Sequence, residues 1–277
     1  MKRVFIILTI CTFFQVISYG QLTTPQQSPT QTIKQNFGLG SIELSYSRPG
    51  MKGRKIFGDL VPFGKVWRTG ANQATTISFA DDVTIGGKKI TAGKYGLLSI
   101  PAKDNWTLII TPQLNVTSPD AYKQDSDIVR VVTKPMVLKD KIENFTMQFG
   151  NLKGSSCELN IMWDNTAVTL PISTDVDTKV MAQINQAMTS EKPPFFQAAS
   201  YYFDNDRDLA KAKEWAQKAI TADPKAFYVV HLLAKIQAKT GDKAGAIATA
   251  KKSIELAKEA KNPDYVALNE KLIASLN

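Results

Sequence analysis

Histidine and cysteine are almost missing from this chain. His231 is the single histidine, and Cys11 and Cys157 are the two cysteines, among 277 residues. Zinc centres built from Cys and His need three or four such ligands, so they are excluded. Cys157 has neither a histidine nor a second cysteine near it in sequence and reads as a buried apolar thiol. His231, in "YVVHLLA", reads as a packed residue of a helix. Phosphate loops are missing too: there is no Walker loop, no dinucleotide fingerprint and no Gly-x-Ser-x-Gly elbow. Asp81-Asp82 and Asp125-Ser126-Asp127 lack the glycine punctuation of a calcium loop and read as turns. No metal and no cofactor is therefore expected. No apolar run is long enough to cross a bilayer as a helix.

What is present starts at the amino terminus. Met1-Lys2-Arg3 precedes an interrupted apolar stretch from Val4 to Ile17, then Ser18-Tyr19-Gly20-Gln21. This is the pattern of a secretory signal, with cleavage expected after Gly20 and Gln21 left to cyclise. A lipoprotein signal at Cys11 fits worse, because Ile10 stands where a small residue is needed. Cleavage would remove Cys11 and leave Cys157 without a disulfide partner. The expected location is periplasmic or extracellular. Residues 21–30 are a polar linker of Pro, Gln, Ser and Thr.

From 31 to 173 the apolar residues alternate. Ile42, Leu44 and Tyr46 do so, as do Phe145, Met147 and Phe149, then Cys157, Leu159, Ile161 and Trp163, then Val168, Leu170 and Ile172. Period two marks strands with one face in a core. Gly86-Gly87 is spaced as a two-residue hairpin, and Asp164-Asn165 reads as a second one between the last two strands. Short strands with frequent turns predict an antiparallel β-sandwich. Trp106 and Trp163 fall within strands and are expected in the core.

At Asp175 the period becomes helical, with a connecting helix and linker over 174–192 carrying Val176, Val180, Ile184, Ala187 and Met188. Beyond it, over 193–277, lies a 34-residue repeat. Ala199, Ala212, Ala216, Ala219 and Ile220 recur as Leu233, Ala246, Ala250, Ser253 and Ile254. This resembles the tetratricopeptide repeat, with small residues where helices approach closely. A last helix from about Pro263 to Leu276 is expected to cap the stack. The fold class is thus α+β, a β-sandwich followed by a tetratricopeptide-like helical module. So few repeats seldom stand alone, and the helices are expected to lean on the β domain or on a protein partner.

The formal charge of +9 falls to +7 once Lys2 and Arg3 are removed. Much of it is local. In 48–68 six basic residues, Arg48, Lys52, Arg54, Lys55, Lys65 and Arg68, stand against Asp59. With no nucleic-acid-binding motif and an exported location, a nucleic acid is not the expected partner; an anionic or glycan ligand is.

The blocks "SYSRPGMKGRKIFGDLVPFGKVWRTGANQATTISF", "GGKKITAGKYGLLSIP", "WTLIIT" and "IMWDNTAV" resemble the secreted domain-of-unknown-function family 2911 over residues 31–172. The resemblance implies export and a β-rich domain and supplies no catalytic residues. Within it, Pro49, Pro62 and glycines 50, 53, 58, 64 and 70 forbid a regular strand, so 48–72 is a long ordered loop, of the kind that carries function. Arg48, Arg54, Lys55 and Arg68 offer donors to an anion, Trp67 a flat face to a sugar, and Asn72 a neutral hydrogen bond. In the competing reading the loop's apolar residues, Phe57, Leu60, Val61, Phe63, Val66 and Trp67, plug one end of the sandwich, and Arg68 and Asn72 satisfy loop carbonyls. Three functions follow: a binding module whose helices also meet a protein, a hydrolase of sugars or phosphoryl compounds with Asp59, Asp164 or Glu43 beside Arg68, and a scaffold without a ligand.

Overall fold

Because alternation runs through the first half and 3.6-residue spacing through the second, the chain divides in two. The computed structural model describes residues 24–276. The expected signal, Cys11 and the start of the linker lie outside the described residues. Two units are distinct, one ending at Thr174 and the other beginning at Asp175.

Among its described residues the first unit has ten strands: β1 (Thr30–Phe37), β2 (Gly40–Ser47), β3 (Thr76–Phe79), β4 (Val83–Ile85), β5 (Lys88–Ile90), β6 (Gly93–Ile100), β7 (Trp106–Thr111), β8 (Val129–Thr133), β9 (Met136–Gly150) and β10 (Ser156–Ser173). They form two antiparallel sheets, β1-β2-β3-β6-β7-β8 and β5-β4-β10-β9. One core joins Ile42, Leu44 and Tyr46 of the larger sheet to Phe145, Leu159, Ile161, Trp163 and Val168 of the smaller. Cys157, Trp106 and Trp163 are all buried in it. Burial pushes the Cys157 thiol up to about 11, with the Glu158 carboxylate adding to the rise. The β4–β5 hairpin turns on Gly86 and Gly87, both at positive φ as a tight primed turn requires.

No hairpin forms at Asp164-Asn165. β10 runs through both residues as one strand, and both sides of Asp164 pair with β9. Asp164 sits at φ 53°, a left-handed position that Asp tolerates, and the register slips on either side of it. The turn-forming residue makes a bulge that bends the strand and leaves its direction unchanged.

The larger sheet is covered on both faces. Leu97 faces the main core, whereas Leu98 and Ile109 pack outward with Ala74, Val116, Val66 and Tyr122. The cover is the segment 112–128. Gln113 closes it by bonding both the carbonyl (2.8 Å) and the N–H (2.9 Å) of Lys123. Gly96 lets it approach, since a Cβ there would meet the Gln113 carbonyl at 2.3 Å. Asp127, one of the acids read as a turn, accepts the Tyr122 hydroxyl and pairs with Arg130 at 2.7 Å. Burial, and then the bond to that carboxylate, lift Tyr122 to about 12.

Among its described residues the second unit has six helices: α1 (Val176–Ala187), α2 (Phe195–Asp204), α3 (Leu209–Ala222), α4 (Phe227–Lys239), α5 (Lys243–Glu259) and α6 (Pro263–Leu276). Among the described residues no helix is long and apolar enough to cross a membrane. The repeat's alanines, Ala199, Ala212, Ala216, Ala246 and Ala250, are fully buried, which lets the helices pack closely. α1 is part of this packing, because Ile184 shares a cluster with Ala198, Ala199 and Tyr202.

A buried polar chain ties α4, α5 and α6 together. Asn269 Nδ2 donates to the Tyr265 carbonyl (2.7 Å), which orients the amide, and also to Ser253 Oγ (2.9 Å). Its Oδ1 therefore accepts from His231 Nδ1–H (2.8 Å), and Ser253 donates to the Phe227 carbonyl (2.8 Å). Burial lowers the His231 pKa; the Asn269 bond works against that shift, and nearby Lys235 adds to it. The unfolded chain thus takes up its proton first as pH falls. Helical stability is expected to be full above about pH 6.5 and to decline below it, down to the depressed folded pKa. Urea midpoints read at 222 nm between pH 7.5 and 5 check this, and His231→Gln should flatten the slope.

Candidate functional site

Residues 48–75 join β2 to β3 without a repeating period, so hydrogen bonds and packing hold them. Pro49 and Met51 pair with Phe145 and Glu143 of β9 at 2.9 and 2.8 Å. Lys52 and Gly53, both at positive φ, then turn the chain so that Arg54 N–H reaches the Met51 carbonyl. Ile56 to Val61 form a knuckle closed by Val61 N–H on the Ile56 carbonyl, with both side chains in the core. Trp67 pairs through its backbone with Ser99 of β6.

Most of the expected ligand residues bond to the protein itself. Arg48 donates to the Phe145 carbonyl (3.1 Å) and Thr146 Oγ1 (2.9 Å). Arg54 donates through Nε to the Met51 carbonyl (2.9 Å) and through Nη2 to that of Gly50 (2.6 Å). Asn72 donates to the Ser28 carbonyl (3.0 Å). Trp67 lies parallel to Trp163 at 6.0 Å and edge-on to Phe145, Phe57 and Trp106, while its Nε1–H meets the Gly70 carbonyl (3.0 Å). It is half-buried in the wall of the core, with Trp163 stacked on one of its faces. Thr69, fully buried, holds φ 55°, a strained position for a β-branched residue, fixed by Ser99 (2.9 Å) and Thr75 (2.6 Å).

The loop leaves two concavities. The smaller, about 410 Å³, lies between residues 60–68 and 116–120. Its walls are Leu60, Val61, Pro62, Val66, Trp67 and Val116, with Lys65, Arg68 and Asp120 as its charges. Arg68 Nη1 donates to the Thr117 carbonyl, but its Nε is buried without a partner among the described residues. The larger, about 570 Å³, brings Arg54, Lys55, Lys141, Glu143 and Asp164 together beside Met51 and Gly53. Lys141 pairs with Asp164 at 3.1 Å, and Glu143 accepts the Lys52 N–H at 2.9 Å.

The six residues expected at one site are therefore divided. Trp67 and Arg68 line one cleft, Arg54 and Lys55 the other, and Arg48 and Asn72 anchor the loop. Of the three candidate bases, Asp164 lines the larger cleft; Asp59 and Glu43 are exposed and line neither. Sequence reasoning missed Lys65, Asp120 and Lys141 as cleft residues. Lys65 carried a signal, since it belongs to the basic run, while Asp120 and Lys141 arrive from segments far along the chain.

Comparison with known proteins gives one family. The family described as "Protein of unknown function (DUF2911)" matches residues 28–172, just over half of the chain, and the chain belongs to it. No curated protein and no solved structure matches.

Proposed function

We propose that this DUF2911 member is an exported, non-enzymatic binding protein whose β unit holds an anionic or glycan ligand in the cleft between residues 60–68 and 116–120. Its helical unit then offers a surface to a protein partner, a role supported by its tetratricopeptide-like packing. The observation that carries the ligand reading is Arg68. Its guanidinium is steadied by Thr117, keeps an unpartnered buried Nε, and lines an apolar-walled cleft with Lys65. A guanidinium held in place beside a second cation at an apolar-walled cleft is a ready partner for a carboxylate. The hydrolase reading has less support, since none of Asp59, Asp164 and Glu43 lines that cleft.

The test is the thermal midpoint of residues 21–277 against uronic acids, neutral sugars and phosphates. A ligand at a hundred times its dissociation constant is expected to add about 2.7 kcal/mol. Lys65 is exposed and has no side-chain partner among the described residues, so Lys65→Glu should keep the unliganded midpoint and lose the shift. No shift with any of these compounds would remove this reading.

A further inference from the structure

The two clefts are lined by neighbouring stretches of the same loop. Lys55 is the last loop residue lining the larger and Leu60 the first lining the smaller, and Leu60 N–H lies 3.4 Å from the Lys55 carbonyl. One knuckle of chain, 55–61, separates them. In the larger cleft Asp164 Oδ1 stands 3.1 Å from Lys141 as an ion pair without hydrogen-bond geometry, and Glu143 accepts the Lys52 N–H. Arg54 is held in a fixed plane by its bonds to Gly50 and Met51, which leaves Nη1 without a protein partner among the described residues. Lys55 likewise has none. A guanidinium already immobilised loses little freedom when it takes up an anion.

Two pairs of cations, Arg54 with Lys55 and Lys65 with Arg68, thus stand on either side of residues 56–61, with Leu60 and, just beyond, Phe63 exposed. A single carboxylate could engage one pair. We infer that the clefts are adjoining subsites for one chain-like ligand with repeated negative charge and apolar ring faces, an acidic oligosaccharide. This inference rests on the smaller cleft's being a ligand site. Asp59, exposed on the knuckle, sets the alternative of a neutral glycan held through hydroxyls, which the test separates.

The experiment is calorimetric titration of residues 21–277 with galacturonic acid, its oligomers of two to six units, and the same oligomers as methyl esters. Affinity should rise at least about tenfold from the monomer to the longest acid, because the second contact is intramolecular. In Lys55→Glu that advantage should collapse, and the esters should bind at least about tenfold more weakly than the acids. If the monomer binds and the oligomers bind no tighter, or Lys55→Glu keeps the length dependence, the adjoining-subsite inference is overturned while the one-cleft reading stands. Equal binding of esters and acids overturns it as well. If neither monomer nor oligomer binds, the inference is overturned, and the one-cleft reading is decided by the thermal midpoints with neutral sugars and phosphates.

Discussion

Trp67→Ala is expected to remove about 3–5 kcal/mol from the β unit, the cost of truncating a large aromatic in a packed core. Trp67 is ringed by Trp163, Phe145, Phe57 and Trp106, and its indole N–H is the partner of the Gly70 carbonyl. Deleting the ring opens a cavity beneath the loop and leaves that carbonyl unbonded. For a unit of this size the thermal midpoint should fall by roughly 10 °C. Trp67→Phe keeps most ring contacts but not the hydrogen bond, so its loss should be the smaller of the two. Urea unfolding followed by tryptophan emission gives both values. A cost below 1 kcal/mol for alanine would mean that the loop does not seal the core.

The second large effect lies in the helices. Asn269→Leu should destabilise the helical unit by about 2–3 kcal/mol, although it adds apolar surface at a fully buried position. The mutation strands the half-buried His231 Nδ1–H and removes the donor to Ser253, whose own bond to the Phe227 carbonyl remains. A double-mutant cycle with His231→Leu separates this from simple misfit. If the chain acts as a unit, the two losses together should be smaller than their sum. Additive losses would show that Asn269 and His231 act separately. In Asn269→Leu the His231 pKa should drop further, since the bond that raised it is gone.

Period was legible, and the elements that obey a period were read well. Alternation located β2, β9 and both halves of β10, and the alanine repeat located α2 to α5. Reading failed where one residue type serves two geometries. Asp164-Asn165 has turn chemistry, yet a left-handed Asp is equally at home in a bulge, and only pairing to β9 on both sides decides between them. β6 and β7, "KYGLLSIP" and "WTLII", carry near-continuous apolar runs, the signature of strands covered on both faces. That cover, residues 112–128, has no pattern of its own.

The site was legible only as a stretch. The basic loop is where the clefts are, but composition cannot say whether an arginine points into a cleft or back at a carbonyl. Arg48 and Arg68 illustrate the point. Each lies near the end of a strand-like segment, yet one is tied to β9 and the other meets Thr117, 49 residues later. Asn269, followed directly by Glu270 and Lys271, carries no signal of burial in the sequence, because its partners His231 and Ser253 sit on two other helices.

The connectivity of the β unit also has a meaning in time. The smaller sheet is built from β4, β5, β9 and β10, so its first hairpin waits for its last strand. Tyr46 donates to the Met147 carbonyl 101 residues away, and Thr84 is opposite Ser173. Until residues 156–173 exist, Ile42, Leu44 and Ile77 face an unfilled core. A growing chain passes through most of this domain's length unable to close it. Such order makes for slow closure, and it keeps the polypeptide open until synthesis of the unit is complete.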